Sequence, residues 1–254
     1  MYLGSLVVLL VAALWQLDPF TSLVLHRYGF QNFQTIFEGD VYRTIVLRTV
    51  VIASLVTVAD AILAFPIAFY MAKLASPRVR GLLVIAVLMP LWSSYLVKVY
   101  AWRTILSEVG ILNWALSPLG LSGPGYGNVA TWLVFTYLWL PFMVLPIFAG
   151  LQRIPNSLLD ASGDLGAGAG HTFRRVVLPL VFPAMVAGSI FTFSLTLGDY
   201  ITPQLVSSTQ FIGNVVYGNV ANNLPLASAF ATVPIVVMVV YLLIARKLGA
   251  FREL

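Results

Sequence analysis

A polar, glycine-rich segment, residues 151–175, lies between two long apolar runs and holds residues of the kind that bind phosphate. Gly163 and Gly168 have the spacing of the glycines in a phosphate-binding loop. Such a loop also needs Lys and then Ser or Thr directly after the second glycine, to hold the phosphates and a magnesium ion. Ala169 and Gly170 stand at those two positions. The sequence therefore predicts no nucleotide site in this chain.

The same segment has the pattern of two short helices. Pro155 and the polar residues after it suit a helix start, and residues 158–165 can form a short amphipathic helix. Gly166 is placed to end that helix in a left-handed turn, and a second short helix can begin near Thr172. A flexible glycine-rich linker is the competing interpretation. Two short helices hinged at a glycine would form a projection that fits a groove in another protein.

Metal and covalent chemistry have little support in the sequence. It contains no cysteine, and its two histidines, His26 and His171, are far apart, so neither a disulfide framework nor a zinc site is expected. An intramembrane enzyme would need a convergent set such as His-x-x-Glu-His or paired aspartates, whereas Asp60 is the only acidic residue deep in an apolar run. We therefore expect no catalytic residue, no metal and no cofactor bound by this chain.

The composition places the chain in a membrane, since 60% of its 254 residues are hydrophobic and only 9% are charged. Long apolar runs, in place of the alternating ten-residue segments of a membrane barrel, predict an all-α membrane protein with a single transmembrane domain over residues 1–254. We interpret the first run as a span, because it lacks the basic flank and the cleavage site of a signal peptide. The six predicted spans are residues 2–17, 44–73, 81–106, 128–150, 176–197 and 227–246.

Lys and Arg collect on alternate connections, which predicts the orientation of the chain. Nine of the fourteen basic residues fall in the stretches 73–80, 153–175 and 246–252, the last of which includes Arg252. We expect these stretches and both termini to be cytoplasmic, with the other loops outside. The net charge of +5 then follows from topology and the anionic inner leaflet, without a nucleic-acid partner.

Residues 151–175, called the docking segment below, resemble together with the residues that directly follow them the loop shared by inner-membrane permeases of binding-protein-dependent ABC importers. Their pattern is Glu-Ala-Ala, three residues, Gly, nine residues, Ile, one residue and Leu-Pro. The matching positions here are Asp160, Ala161, Ser162, Gly166, Val176, Leu178 and Pro179. The departures are Asp for Glu, Ser for the second Ala and Val for Ile. The resemblance implies a type I ABC importer permease fold of six transmembrane helices, in which residues 151–175 form cytoplasmic coupling helices held in a cleft of a separate ATPase.

Two further stretches resemble the spermidine/putrescine transporter permeases: residues 92–102 with 110–113 after them, and residues 198–203. Ser207 and Ser208 stand where that family suggests a glycine pair. The resemblance implies half of the pore of an ATP-driven polyamine importer in a bacterial inner membrane. Its implied partners are two ATP-binding subunits that hold ATP and magnesium, a second, paralogous permease, and a periplasmic or lipid-anchored substrate-binding protein. An importer of another small solute, such as an opine or an anion, stays open. So does a stand-alone secondary transporter, although no internal repeat is evident.

Two acidic residues are candidates for the substrate pathway. An ionisable side chain at the centre of a spanning helix costs about 2.5–3.5 kcal/mol, so Asp60 should face the protein interior. It would lie there either in the pathway or as a protonated or hydrogen-bonded packing residue that touches Thr57 or a neighbouring helix. Asp199 precedes Tyr200 at the end of the fifth run, and this pair could hold an ammonium group by charge and by the ring face. A helix-end role for Asp199 is the alternative.

Aromatic residues of the third run are the other pathway candidates. Tyr95 and Trp102 share one face of a helix, with Trp92 close to it, although an interfacial aromatic belt would give the same pattern. Lys98 and Arg103 belong to the same run. They would repel a polyamine unless they snorkel outward or pair with Glu108, and if they line the path they would favour an anion.

Overall fold

The computed structural model describes residues 2–18 and 20–247, which form helices joined by short turns. Arg252 and the outermost ends of the domain expected over residues 1–254 lie outside the described residues. The elements in chain order are α1 (Tyr2–Ala12), β1 (Gln16–Leu17), β2 (Val24–Leu25), α2 (Gln31–Glu38), α3 (Asp40–Phe69), α4 (Pro77–Trp92), α5 (Tyr95–Leu106), α6 (Ile111–Leu116), α7 (Asn128–Arg153), α8 (Asn156–Asp164), α9 (Ala169–Thr172), α10 (Leu178–Gly198), α11 (Ile201–Val206), α12 (Ile212–Asn219) and α13 (Leu224–Lys247). The all-α prediction is confirmed apart from the two-residue antiparallel strands β1 and β2.

Four continuous helices within the described residues are long and apolar enough to cross a membrane: Asp40–Leu74, Asn128–Arg153, Ala169–Gly198 and Leu224–Lys247. The first and third of these include π-helical turns at Tyr70–Leu74 and Phe173–Val177. A fifth crossing would combine Pro77–Trp92 with Tyr95–Leu119, which a break bends by 93°.

Six continuous spans were expected, and the helices of the described residues differ from that expectation at two places. The first apolar run forms α1, whose 11 residues extend about 16 Å, well short of a hydrocarbon core of roughly 30 Å, and the chain then turns into β1. The third run was expected to be one helix and is instead divided between α4 and α5.

The chain forms two compact units, each made of several stretches. The first unit comprises the residues up to Ser54, then Val99–Val134 and Ser194–Val240. The second comprises Leu55–Lys98, Phe135–Phe193 and the residues from Tyr241.

The core of the first unit joins α2, the start of α3, α12 and α13. Its buried side chains include Ile36, Ile45, Ile212, Ala229 and Phe230. The backbone N–H of Ile212 donates a hydrogen bond to Thr49 Oγ1 at 3.1 Å, which satisfies a buried donor at the start of α12.

The core of the second unit joins α3, α7 and α10 through buried residues such as Ala68, Met143, Ile147 and Val181. Small residues allow α7 and α10 to approach closely: a Cβ at Gly150 would lie 2.6 Å from the Cβ of Ala184. Close approach of backbones at small residues is how membrane helices gain packing contacts in the absence of a hydrophobic driving force.

Candidate functional site

The docking segment begins with α8, which the sequence expected over residues 158–165 and the structure places at Asn156–Asp164. The helix ends in a Schellman motif. Gly166 has φ of +78°, its N–H bonds to the carbonyl of Gly163 at 2.8 Å, and the N–H of Ala167 bonds to the carbonyl of Ser162 at 3.1 Å. No heavy atom lies within 4 Å of where a Cβ on Gly166 would be. Backbone conformation, rather than lack of space, therefore selects glycine here, and the predicted left-handed turn is confirmed.

The second short helix differs from the prediction. It begins at Ala169, three residues before Thr172, and continues without a break as the 30-residue helix Ala169–Gly198. The hydroxyl groups of Ser162 and Thr172 form a 2.8 Å hydrogen bond that joins α8 to this long helix. A displacement of α8 would therefore act directly on a membrane-spanning helix.

The N-terminal end of α8 is attached to the end of the candidate span Asp40–Leu74. Lys73 Nζ donates hydrogen bonds to the carbonyl of Ile154 and to Asn156 Oδ1. Along α8 and the turn that follows, Asp160, Ala161 and Leu165 are exposed, and Leu165 retains 88% of its accessible surface.

The expected closing pair of the segment lies at the start of α10, where Leu178 is half-buried and Pro179 is exposed. Between α8 and this pair, Arg174 and Arg175 are exposed and Phe173 keeps 37% of its surface. The segment thus has an exposed apolar side chain at Leu165, exposed carboxylates at Asp160 and Asp164, and exposed guanidinium groups at Arg153, Arg174 and Arg175.

At the opposite end of α10, Asp199 acts as a helix cap. Its Oδ1 accepts the backbone N–H of Thr202 at 3.0 Å, which satisfies a donor in the first turn of α11. Asn214 Nδ2 donates to the carbonyl of Tyr200 at 2.9 Å, and a Cβ at Gly213 would lie 2.7 Å from the carbonyl oxygen of Asp199. The Asp199–Tyr200 turn is therefore held between α11 and α12, and the helix-end role of Asp199 is observed.

Tyr200 stacks on Tyr217 with ring centroids 4.4 Å apart and planes inclined by 11°. Both rings line a cavity of about 340 Å³, whose other lining residues are Gly198, Ile212, Gly213, Val216, Val220, Ala231 and Pro234. Ring faces attract cations, and the remaining lining suits an alkyl chain. The sequence reasoning missed Tyr217, because only the fold brings α12 against the end of α10.

The aromatic residues around the third run also find partners. Tyr95 stacks on Trp139 at 6.1 Å and 13°, and Trp139 contacts Phe142 at 6.0 Å. Trp92 is 78% exposed, and Trp102 is half-buried. Trp139 was not anticipated, because nothing in its local sequence sets it apart from the other aromatic residues of α7.

Asp60 is fully buried in the second unit, and neither of its carboxylate oxygens has a hydrogen-bond partner among the described residues. The expected interior position is observed. The suggested hydrogen bond to Thr57 is not formed in the described structure, where the Thr57 hydroxyl lies 3.5 Å from that of Thr192. An uncompensated carboxyl in an apolar interior carries a desolvation cost, so its retention favours a role other than packing.

The break in the third run lies at two serines. Ser93 is extended, with φ of −79° and ψ of 149°, and ends α4. The carbonyl of Pro90 accepts hydrogen bonds from Ser93 Oγ at 2.9 Å and from Lys98 Nζ at 3.0 Å. Lys98 thus caps the C-terminal end of α4, where a cation is favoured by the helix dipole.

The predicted site residues are divided between the two units. The second unit contains the docking residues together with Asp60, Trp92 and Tyr95, and the first contains Trp102, Asp199 and Tyr200. No group of three or more metal-ligating side chains occurs within residues 2–18 and 20–247.

Comparison with known proteins gives matches over most of the chain. The family described as binding-protein-dependent transport system inner membrane component matches residues 54–250. The chain is 46% identical over 271 residues to the inner membrane ABC transporter permease protein YdcU of Escherichia coli (strain K12). This match covers 100% of this chain and 86% of that protein. It is 31% identical over 207 residues to the spermidine/putrescine transport system permease protein PotB of Haemophilus influenzae, covering 78% and 72% of the two chains.

A solved structure shares the fold. The crystal structure of a bacterial ABC transporter involved in the import of the acidic polysaccharide alginate superposes with a TM-score of 0.71 at 19% identity, covering 100% of this chain and 91% of the other. Because the two sequences are only 19% identical, this similarity shows a shared fold and nothing about the cargo.

Proposed function

Because the chain belongs to the family of binding-protein-dependent transport system inner membrane components, we propose that it forms half of the pore of an ATP-driven importer for linear organic cations of the polyamine class. The chain is a multi-pass permease subunit of the inner membrane. In the proposed complex it pairs with a paralogous second permease, two ATPase subunits that hold ATP and magnesium, and a periplasmic or lipid-anchored binding protein. Both termini face the cytoplasm.

The observation that carries the cargo assignment is the stacked pair Tyr200 and Tyr217, which lines the cavity, with Asp199 next to Tyr200 in the chain. An alkylammonium chain would lie in the apolar cavity with its cationic groups against the ring faces and near the carboxylate. Relatives named as spermidine/putrescine permeases support this cargo. In this proposal Tyr95, Trp102 and Trp92 provide further aromatic surface along the path, and Asp60 provides a carboxyl group at membrane depth.

The docking segment is proposed to transmit ATPase closure to the pore. Asp160, Ala161 and Ser162 on α8 would contact the cleft of the ATPase, and Gly166 would hold the angle between α8 and the long helix. Leu178 and Pro179 would anchor the start of α10. The physical support is the continuity of α9 with the spanning helix, together with the Ser162–Thr172 hydrogen bond. This chain performs no covalent chemistry in the proposed cycle, since hydrolysis belongs to the partner.

ATP-dependent uptake of radiolabelled spermidine and putrescine into vesicles containing the full complex tests this proposal. Asp199→Asn is the informative variant, because asparagine removes the negative charge and keeps the Oδ1 acceptor for the Thr202 N–H. We expect normal complex assembly with uptake reduced at least tenfold. Asp18→Asn is the matched control, because Asp18 also accepts backbone N–H groups, from Thr21 and Phe20, which hold the pKa of its carboxyl below the ordinary value. Its uptake should be unchanged.

Uptake that proceeds without ATP would refute the ATP-driven mechanism. ATP-dependent transport of an anion or a neutral solute, with polyamines excluded, would leave the permease assignment intact and refute the cargo. Wild-type uptake by Asp199→Asn would limit Asp199 to its capping role.

A further inference from the structure

The break between α4 and α5 lies inside the fifth candidate crossing, which combines Pro77–Trp92 with Tyr95–Leu119. The 16 residues of α4 extend about 24 Å, which is less than a hydrocarbon core of roughly 30 Å, and the chain then turns by 93°. Ser93 and Ser94 are both exposed at this turn. Irregular backbone at membrane depth is tolerated only where it is covered by protein or faces a water-filled cavity.

The end of α4 is also an acceptor site. The last turn of any helix presents carbonyl groups that have no partner within the helix, and the dipole makes this end attractive to cations. Here a primary ammonium group already occupies it, since Lys98 Nζ lies 3.0 Å from the carbonyl oxygen of Pro90. Ser93 Oγ donates to the same oxygen.

From this geometry we propose that the carbonyl end of α4 is an alkylammonium subsite that faces water in the transport path, and that Lys98 is a tethered competitor which a cargo ammonium displaces. The proposal rests on the proposed function for its cargo class. Trp92, 78% exposed at the end of α4, offers a ring face to the same cation. The arrangement also explains how a pathway for cations can contain a lysine: its charge is held against a carbonyl until a free ammonium group replaces it.

Water accessibility is the first test, and the chain suits it because it has no native cysteine. Ser94→Cys in the full complex is treated with a water-soluble, permanently cationic thiol reagent, and the mass of this chain is measured over time. Leu82→Cys, within α4 and 67% exposed, is the matched control for a lipid-facing position. We expect Ser94→Cys to react at least tenfold faster than Leu82→Cys. Equal rates would overturn the proposal.

Protection and affinity measurements test the ammonium site itself. Butylammonium should slow the labelling of Ser94→Cys, whereas 1-butanol should not. In nanodiscs without the binding protein, Lys98→Met should bind putrescine about tenfold more tightly, because an internal competitor for a charge-assisted hydrogen bond is removed. Lys98→Gln retains an N–H donor for the Pro90 carbonyl and should show the same direction. Arg103→Met, which removes a charge from the same helix, should leave the affinity unchanged.

Weaker putrescine binding by Lys98→Met would overturn the proposal and identify Lys98 as a structural cap or an anion contact. Protection by butanol equal to that by butylammonium would also overturn it. Protection by butylammonium in a complex that fails to transport any polyamine would instead separate the two proposals. It would support the alkylammonium subsite and refute polyamines as the cargo.

Discussion

Replacing Gly166 by alanine should weaken coupling to the ATPase without altering the membrane-embedded fold. Gly166 has φ of +78°, and no neighbouring atom would contact an added Cβ. The whole effect is therefore the cost of placing an L-residue in the left-handed region, about 1–2 kcal/mol. Because 1.4 kcal/mol corresponds to a factor of ten, the Schellman geometry should become about fivefold to thirtyfold less populated relative to frayed alternatives.

The assay is the equilibrium affinity of the purified ATPase subunit for permease complexes in nanodiscs, with ATP-dependent uptake as the second readout. We expect Gly166→Ala to raise the Kd about fivefold to thirtyfold. Gly166→Asn should have a smaller effect, because asparagine enters the left-handed region more readily. The unfolding temperature of the membrane domain should remain constant.

Gly163→Ala is the matched control three residues away. Gly163 lies within α8 and also has open space around it, so alanine should favour the helix by about 0.5–1 kcal/mol. Unchanged or tighter ATPase binding is expected. Equal losses in both variants would refute the reasoning, since they would show that bulk on this surface, and not the left-handed turn, limits docking. A wild-type affinity for Gly166→Ala would refute it as well.

Three further substitutions have expected outcomes. Gly213→Ala places a methyl group 2.7 Å from the Asp199 carbonyl and should lower the unfolding temperature, whereas Gly218→Ala, in open space on the same helix, should not. Gly150→Ala should destabilise the α7–α10 contact by about 1–3 kcal/mol in denaturant unfolding, because the nearest atom is another Cβ at 2.6 Å. Asp60→Leu should raise the free energy of unfolding by about 1–3 kcal/mol, because it removes a buried carboxyl that has no hydrogen-bond partner, and it should reduce uptake. A lower free energy of unfolding would contradict the absence of partners.

The features that could be predicted from the sequence are those determined by local residue types. Gly166 follows an amphipathic stretch and precedes a polar one, and the left-handed turn there is a property of the backbone at a single residue. Apolar length likewise located α7 and α13 to within a few residues. The resemblance to importer permeases, carried by a fixed spacing, is confirmed by the family match over residues 54–250.

The features that could not be predicted depend on pairs of residues that are distant in sequence. Tyr217 becomes part of a cavity only because α12 packs against the turn at Asp199, where Gly213 permits the approach. The break at Ser93 was missed for another reason. Proline and serine are common in membrane helices, so neither residue type marks a break. Hydropathy also does not indicate that Lys98 donates a hydrogen bond to the Pro90 carbonyl and thereby caps the end of α4.

Asp60, which is buried, and Lys98, which is half-buried, are ionisable side chains of the second unit, and they show that burial alone does not define a role. Lys98 offsets its desolvation by donating to the Pro90 carbonyl at a helix end whose dipole favours a positive charge. Asp60 has no such compensation among the described residues, so it lowers the stability of the state in which it is observed. The position of Lys98 is explained by this hydrogen bond, so its role in transport must be tested by competition with a free cation. Asp60 destabilises this conformation, and so favours any other state of the cycle in which its carboxylate meets water or a cation. We therefore expect Asp60 to bias the permease toward a change of conformation, because a group shifts an equilibrium only by the difference in free energy that it makes between the two conformations.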